Sequence, residues 1–214
     1  MRRVEVVLID YGMGNLLSVQ RGLEHVGAEV CVSADPERIL AADRVVLPGV
    51  GAFPDAMDEL GRRQLVPAIH AIAARGVPLL GICLGMQVLF DQGLEYTQTA
   101  GLGLIPGRVV PIPARCADGS LNKIPHIGWN ELHPAGEASW RDGILSDLEP
   151  SDAVYFVHSF MAQPSDARCR IADCSYGGTQ IAAVVGLGKV VGCQFHPEKS
   201  GEVGLRILRR FLSI

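Results

Sequence analysis

The chain has 214 residues, of which 48% are hydrophobic and 20% are charged, and its formal net charge at pH 7 is −4. This composition excludes a disordered chain, and the length suits one domain with a substantial core. The acidic balance gives no electrostatic reason to expect nucleic acid or a membrane surface as a partner. No apolar run is long enough for a membrane span or a secretory signal. We therefore expect one domain, residues 1–214, in the cytoplasm.

Strand and helix patterns alternate through the first half of the chain. Apolar runs typical of strands covered on both faces lie at 4–9, 30–32, 44–47 and 77–82. Helical patterns lie at 16–26, 53–60, 66–74 and 83–90. This alternation predicts the α/β class, with a mostly parallel central sheet and helices on both faces.

The second half of the chain has a different pattern, with short β-like runs separated by turn signals. These runs lie at 108–110, 153–157, 169–172, 181–185 and 189–195. We expect some of these strands to be antiparallel. A helix is predicted at 201–212, where leucines recur on one face.

A Gly-x-Cys-x-Gly segment joins the fourth predicted strand to a helix. Cys83 lies between Gly81 and Gly85 in GICLGMQ, residues 81–87. This is the thiol form of a nucleophile elbow, in which a strained strand-to-helix turn exposes the nucleophile and glycines remove colliding side chains. A helix N-terminus also lowers the pKa of a thiol. We therefore predict Cys83 as a nucleophile and the Leu84 N–H as an oxyanion donor. The alternative is a buried structural cysteine between packing glycines.

A histidine and a glutamate two residues apart follow the last predicted strand, in QFHPE at 194–198. Pro197 is expected to keep this stretch extended, so that His196 and Glu198 point to one side. Histidine is a suitable base for a thiol and a suitable acid for the leaving group, and a carboxylate fixes its tautomer. Sites in open α/β sheets lie at the carboxyl ends of strands, so we predict a triad of Cys83, His196 and Glu198. A surface loop with incidental charges is the alternative.

Glycines also follow the third predicted strand, in PGVGAF at 48–53. Glycines permit unusual dihedrals and a close approach of the backbone to a ligand. A second oxyanion donor is expected here, from the N–H of Val50 or Gly51 after rotation of a peptide. A plain strand–helix turn would explain the same glycines.

Several blocks of the sequence together resemble the triad glutamine amidotransferases, whose signatures look like GICLGMQ and QFHPE. Within that superfamily the chain is similar to the glutaminase subunits of imidazole glycerol phosphate synthases, which belong to histidine biosynthesis. The blocks that support this narrower resemblance are DYGMGN (10–15), KIPHIGWNEL (123–132) and YFVHSF (155–160).

The resemblance implies a flavodoxin-like core and hydrolysis of L-glutamine to glutamate and ammonia. It also implies a heterodimer with a (β/α)₈-barrel cyclase subunit, which receives the ammonia through a channel. That subunit would make imidazole glycerol phosphate and an aminoimidazole carboxamide ribotide.

The resemblance also assigns residues by their position in the motifs. Gly51 and Leu84 should lie at the substrate carbonyl, and the glutamine pocket should include Gln87, Ser159 and Phe160. The residues that should face the cyclase are Asn15, Lys123, Trp129, Tyr155 and Lys199. Phe160 stands where relatives often have tyrosine, which leaves open whether its contact is through backbone or side chain.

Patterns for cofactors and metals are incomplete. Gly12-x-Gly14 lacks the third glycine of a dinucleotide fingerprint, because residue 17 is leucine. His126 and His133 have no cysteine partners at zinc-ligand spacing, and the six cysteines include no Cys-x-x-Cys pair. We therefore expect no cofactor, no metal and mostly free thiols. His126 and His158 are interpreted as structural or interface residues.

Two other functions fit part of the pattern. The first is another triad amidotransferase subunit, serving purine, anthranilate or pyridoxal synthesis, and the blocks at 123–132 and 155–160 argue against it. The second is a flavodoxin-like thiol protein that acts as a stress sensor or binding module. A sensor needs a reactive cysteine but no acid–base pair, so His196 and Glu198 argue against that function.

Overall fold

The computed structural model describes residues 4–141 and 143–214. Its helices there are α1 (Leu16–His25), α2 (Pro36–Leu40), α3 (Phe53–Arg62), α4 (Leu65–Ala74), α5 (Leu84–Gln87) and α6 (Gly201–Phe211), with 3₁₀ helices at Ala167–Cys169 and Pro197–Lys199. The first seven strands are β1 (Glu5–Ile9), β2 (Glu29–Ser33), β3 (Val45–Leu47), β4 (Leu79–Ile82), β5 (Phe90–Gly93), β6 (Thr99–Ala100) and β7 (Ile105–Pro111). The others are β8 (His126–Glu131), β9 (His133–Pro134), β10 (Ala153–His158), β11 (Phe160–Pro164), β12 (Arg170–Tyr176), β13 (Thr179–Leu187) and β14 (Val190–Cys193).

The main sheet has eight strands in the order β2-β1-β3-β4-β14-β13-β12-β9. The first five are parallel to one another, and the last three pair antiparallel. A two-stranded sheet, β10-β8, and a four-stranded sheet, β11-β7-β5-β6, lie outside it. This arrangement confirms the predicted α/β class with a mostly parallel central sheet and antiparallel strands in the second half.

Two apolar layers cover the faces of the main sheet. In β1, Val6 and Leu8 belong to one layer while Val7 and Ile9 belong to the other, and all four are fully buried. This alternation is the two-residue period of a strand that is covered on both sides. Helices α1 and α6 contribute to the first layer, and α2, α3 and α4 contribute to the second.

The helix after Cys83 is shorter than predicted. The sequence predicted a helix at 83–90, but α5 ends at Gln87 and β5 begins at Phe90. The carbonyls of Val88 and Leu89 accept hydrogen bonds from the N–H groups of Leu102 and Leu104 instead of continuing the helix. This pairing with a distant segment overrides the local helical preference of residues 88–90.

The parallel register places three strand ends at one edge of the main sheet. Strands β3, β4 and β14 are neighbours; Leu47 pairs with Gly81, and Ile82 pairs with Cys193. The chain leaves these strands at Pro48, Cys83 and Gln194, which begin the three segments that the sequence singled out. The carboxyl ends of adjacent parallel strands are the expected place for a site in an open α/β sheet.

Gly85 is a position where backbone packs on backbone. A Cβ atom added there would lie 1.9 Å from the Leu47 carbonyl oxygen, and neither group is at the end of a flexible side chain. We expect Gly85→Ala to destabilise the fold by about 3 kcal/mol or more, because the first turn of α5 would have to move away from the end of β3. Chemical denaturation would measure the loss.

Gly61→Ala is the matched control for this substitution. Gly61 lies inside α3, and a Cβ atom there would meet nothing within 4 Å. Alanine should therefore stabilise that helix by about 0.5–1 kcal/mol. Equal effects of the two substitutions would contradict the packing argument.

Candidate active site

Cys83 occupies a strained turn between β4 and α5. Its φ of 55° and ψ of −111° lie outside the regions that a side-chain-bearing residue prefers. A Cβ atom at Gly81 would lie 2.6 Å from the Gly85 carbonyl oxygen, so neither flanking position has room for a side chain. Such a conformation costs about 1–3 kcal/mol and persists only where its surroundings enforce it.

The Cys83 thiol is largely enclosed, with 8% of the residue exposed. Its Sγ atom lies 3.9 Å from the Val157 carbonyl oxygen and 3.9 Å from the Gln194 Nε2 atom. His196 lines the same cavity as the thiol, and the sulfur is close enough to raise the pKa of its ring. The sulfur therefore has an imidazole ring, an amide donor and a carbonyl acceptor near it within one small space.

His196 and Glu198 form a buried hydrogen-bonded pair. The His196 Nδ1 atom lies 2.7 Å from the Glu198 Oε1 atom, and their side chains are 4% and 1% exposed. The predicted extended stretch is wrong, because Pro197–Lys199 is a 3₁₀ helix that turns the two side chains toward each other. Backbone contacts hold the histidine: its N–H donates to the Tyr155 carbonyl at 3.0 Å, and its own carbonyl accepts from Ser200 Oγ at 2.7 Å.

The environment of His196 favours its protonated form. Burial alone would lower the pKa of the imidazole, because charge is poorly solvated there. The neighbouring Cys83 thiol and the hydrogen bond to Glu198, together with the negative charges of those groups, outweigh burial and raise the pKa of His196 to about 9. The ring can therefore receive a proton from a thiol and hold it for a leaving group near neutral pH.

Two backbone N–H groups at the site differ in whether a hydrogen-bond acceptor already occupies them. Leu84 is the first residue of α5, so its N–H has no acceptor within that helix. The Val50 N–H instead donates to the Met13 carbonyl at 3.3 Å. The loop before Val50 is anchored by the buried Tyr11 hydroxyl, which donates to the Pro48 carbonyl at 2.9 Å. Of these two predicted oxyanion donors, Leu84 is available and Val50 is engaged elsewhere.

A cavity of about 320 Å³ opens over the thiol. Its wall contains the predicted catalytic, oxyanion and substrate residues except Glu198. Glu198 does not line the cavity and instead hydrogen-bonds His196. The lining residues are Val50, Gly51, Cys83, Leu84, Gln87, Glu95, Pro125, Val157, His158, Ser159, Phe160 and His196. A second cavity of about 410 Å³, beside Trp140 and Ile214, contains none of them.

The polar wall of the cavity is organised around the Phe160 carbonyl. Gln87 Nε2 donates to this oxygen at 3.1 Å and to Gln194 Oε1 at 3.0 Å. Both amide protons of Gln87 are thus used, and its oxygen is left for a ligand. The polar contacts of Phe160 are made by its backbone, so the absence of a tyrosine hydroxyl removes none of them.

Sequence reasoning missed two polar residues at this site. Gln194 is fully buried beside the thiol, and its place directly after β14 was the available signal. Glu95 lines the cavity and accepts from the Phe53 N–H at 2.8 Å. Burial raises the pKa of Glu95 above its usual range, and the bond from Phe53 opposes this in part. Glu95 belongs to no motif, so no local pattern points to it.

The five residues predicted to face a partner lie at the surface. Asn15, Lys123, Trp129 and Lys199 are exposed, and Tyr155 is half-buried. The Trp129 and Tyr155 rings meet edge to face, with centroids 6.1 Å apart. Exposed apolar side chains accompany them, including Leu17, Val50 and Ile127.

Residues 4–141 and 143–214 contain no group of three or more His, Cys, Asp or Glu side chains placed to hold a metal ion. Over the same residues, every helix falls short of the length and apolar character that a bilayer crossing requires.

A family model described as "Glutamine amidotransferase class-I" matches residues 7–214. The chain belongs to the class-I glutamine amidotransferase family. "Imidazole glycerol phosphate synthase subunit HisH 1" of Legionella pneumophila (strain Lens) is 51% identical over 210 residues, which are 98% of this chain and 99% of that protein. "Imidazole glycerol phosphate synthase subunit HisH" of Lactococcus lactis subsp. lactis (strain IL1403) is 50% identical over 208 residues, 97% and 98% of the two chains.

Solved structures of other amidotransferases share the fold. PurLQS from Thermotoga maritima superposes with a TM-score of 0.73 at 20% identity, over 99% of each chain. A glutamine amidotransferase from the same organism gives a TM-score of 0.61 at 17% identity, covering 95% of this chain and 80% of that one. These findings confirm the predicted family and the predicted fold class.

Replacing Glu198 in this amidotransferase should change the pH at which the His196 imidazolium loses its proton. Because the carboxylate helps to raise the pKa of His196 to about 9, Glu198→Gln should lower that pKa. If His196 protonates the leaving group, the alkaline limb of kcat will move to lower pH in this variant. A pH–rate profile measures the shift.

The same pKa shift has a consequence for stability. A folded pKa raised from 6.5 to about 9 adds stability that is complete below 6.5 and lost as pH rises through 9. Glu198→Gln should therefore be less stable than wild type near neutral pH, and the difference should shrink above pH 9. Glu202→Gln, at an exposed glutamate of α6, is the matched control.

For the pH–rate experiment, an unchanged alkaline limb of kcat in Glu198→Gln would contradict the role of Glu198 in orienting His196.

Proposed function

We propose that this chain is the glutaminase subunit of an imidazole glycerol phosphate synthase. It hydrolyses L-glutamine to glutamate and ammonia with the triad Cys83, His196 and Glu198. The observation that carries this proposal is the meeting of a strained thiol with a buried His–Glu pair under one cavity. Identity of about 50% over nearly the whole chain to proteins named as HisH subunits supports the specific assignment.

The reaction divides into two proton-balanced steps. In the first, the Cys83 sulfur attacks the carboxamide carbon of glutamine while His196 takes the thiol proton. His196 then returns that proton to the nitrogen, ammonia leaves, and a γ-glutamyl thioester remains on the sulfur. In the second, His196 takes a proton from water and the hydroxide attacks the thioester. The carbon–sulfur bond breaks, His196 returns the proton to the sulfur, and glutamate leaves.

The cavity has suitable groups for the rest of the substrate. The Glu95 carboxylate at its wall matches the α-ammonium group of an amino acid, and the Gln87 oxygen is free to accept a hydrogen bond. The N–H of Leu84 and a donor from Val50 or Gly51 would hold the oxyanion that forms on the attacked carbonyl. Ser159 and Phe160 complete the wall that the substrate side chain would contact.

The proposed partner is a cyclase subunit that uses the ammonia. The relatives at about 50% identity are named as subunits of a synthase, which presupposes a second chain in those proteins. Exposed Trp129 and Ile127 on β8, each more than half exposed, provide apolar surface for such a contact. Asn15, Lys123, Tyr155 and Lys199 would complete this surface. We keep the predictions that the enzyme is a heterodimer, lies in the cytoplasm, and needs no metal or cofactor.

Removing the nucleophile should separate the two activities of the complex. Cys83→Ala should abolish glutamine-dependent synthesis, because no thioester can form, and leave ammonia-dependent synthesis unchanged. Both rates are measured on the same complex by product formation from glutamine or from ammonium salt. Cys31→Ala, a change to a half-buried cysteine of β2, is the matched control and should retain both activities. Normal glutamine use by Cys83→Ala would overturn the triad.

The Val50 N–H suggests how hydrolysis would be coupled to the partner. In this structure the N–H is bonded to the Met13 carbonyl, so one oxyanion donor is engaged before any substrate arrives. We infer that partner and nucleotide favour rotation of the peptide between Gly49 and Val50, which turns this N–H to the substrate. A ligand can shift such an equilibrium only by binding the two states differently, so the nucleotide must bind the active state more tightly.

Two substitutions at Val50 test this coupling. Glutaminase activity would be measured for the chain alone, with cyclase, and with cyclase plus nucleotide. We expect a rise of about 10²–10³ in the third condition, the value of one oxyanion donor. Val50→Pro lacks the N–H and should lose this rise, whereas Val50→Ala keeps the N–H and should keep it. Equal rates in all three conditions, or a full rise in Val50→Pro, would refute the mechanism.

A further inference from the structure

Two buried histidines face each other outside the proposed triad. His126 of β8 and His158 of β10 are register partners in the two-stranded sheet, and their residues are 2% and 6% exposed. The His126 Nδ1 and His158 Nε2 atoms are 2.9 Å apart. The His126 ring is stacked between Tyr176 and Phe156, with centroid distances of 3.9 and 4.8 Å. The pair is therefore fixed in both position and ring orientation.

The surroundings permit one arrangement of protons in this pair. The His158 Nδ1 atom lies 2.8 Å from the Phe160 carbonyl oxygen, which can only accept, so Nδ1 must be protonated. Burial lowers the pKa of both histidines to about 4, so both rings are neutral at pH 7. A neutral His158 with a proton on Nδ1 has a lone pair on Nε2. His126 must therefore donate to it through its own Nδ1–H.

This pair connects to the substrate wall and to the nucleophile. The Phe160 carbonyl that accepts from His158 also accepts from Gln87 at 3.1 Å. Gln87 donates its second proton to Gln194 Oε1, which leaves the Gln194 amide nitrogen facing the Cys83 sulfur at 3.9 Å. Each group in the series thus has one orientation that satisfies its neighbours.

We propose that His126 and His158 are positioning residues for the glutamine substrate, acting as a neutral pair of Nδ1–H donors that fixes the Phe160 carbonyl and, through it, the Gln87 amide. The inference rests on the proposed glutaminase function and assigns no proton transfer to either ring. Without the His126 donor, the His158 ring loses its fixed orientation, and its hydrogen bond to the Phe160 carbonyl is weakened. Gln87 can then turn its oxygen away from the ligand.

Substitutions at His126 distinguish positioning from packing. The Nδ2 atom of asparagine lies close to the place of histidine Nδ1, so His126→Asn keeps the donor while it loses the stacked ring. His126→Leu loses both. In the complex with cyclase and nucleotide, we expect His126→Leu to raise KM for glutamine about tenfold, the effect of one hydrogen bond of ordinary strength. We expect kcat to change less than about threefold, and His126→Asn to restore most of the KM.

Either of two results would overturn the proposal. A wild-type KM in His126→Leu, or a KM in His126→Asn as high as that in His126→Leu with an equal melting temperature, would reduce the pair to packing. Ammonia-dependent synthesis should be unaffected in every variant. If the wild-type complex hydrolyses no glutamine, the proposed function fails instead, and the two failures are thereby separated.

A spectroscopic measurement on the wild-type chain requires no variant to fold. Long-range ¹H–¹⁵N correlation spectra at pH 7 should show both rings as neutral Nδ1–H tautomers, assigned by their Overhauser contacts to Tyr176 and Phe156. Surface histidines such as His133 provide the internal comparison. An Nε2–H tautomer or a charged ring at either His126 or His158 would overturn the proposal.

Discussion

A backbone hydrogen bond of 2.7 Å, from the Cys83 N–H to the Cys193 carbonyl, joins the strained turn to the strand that ends beside the proposed base. It continues the parallel register in which Ile82 pairs with Cys193. Because side chains alternate between faces along a strand, a slip of one residue would turn the thiol and the imidazole away from each other. The cavity, the contact between Cys83 and His196, and the place of Gln194 all depend on this register.

The strain at Cys83 is supported by rigid packing rather than by a long helix. Helix α5 has four residues, so the macrodipole argument made from the sequence applies to little more than one turn. The turn is held instead by close packing against the loop at Gly49. A Cβ atom added at Gly49 would lie 2.6 Å from the Tyr11 hydroxyl and 2.8 Å from the Gly85 amide nitrogen. Contacts this close leave the backbone little room to relax, and the thiol keeps its position over the sheet.

Local pattern was sufficient for the features encoded within a few residues. It predicted the α/β class, the ends of most central strands and the motifs around Cys83 and His196, because hydrophobic period and glycine placement are local. It missed β8 and β11, whose partners are distant in sequence, and Glu95, which reaches the cavity only through the path of β5. Helix α2 was missed although Asp35 caps it and Pro36 opens it, so that signal was present in the sequence.

The ionisation of the three buried histidines near the site depends on where one carboxylate lies. Burial disfavours a charge on each of them, and it lowers the pKa of His126 and His158 to about 4. His196 is the exception, because the Glu198 carboxylate lies at hydrogen-bond distance and, together with the nearby Cys83 sulfur, raises the pKa of the ring. The positive charge of His196 in turn further disfavours one on His158. Of these three rings, only His196 therefore holds a proton readily near neutral pH, and the neighbouring pair stays neutral and available for hydrogen bonding.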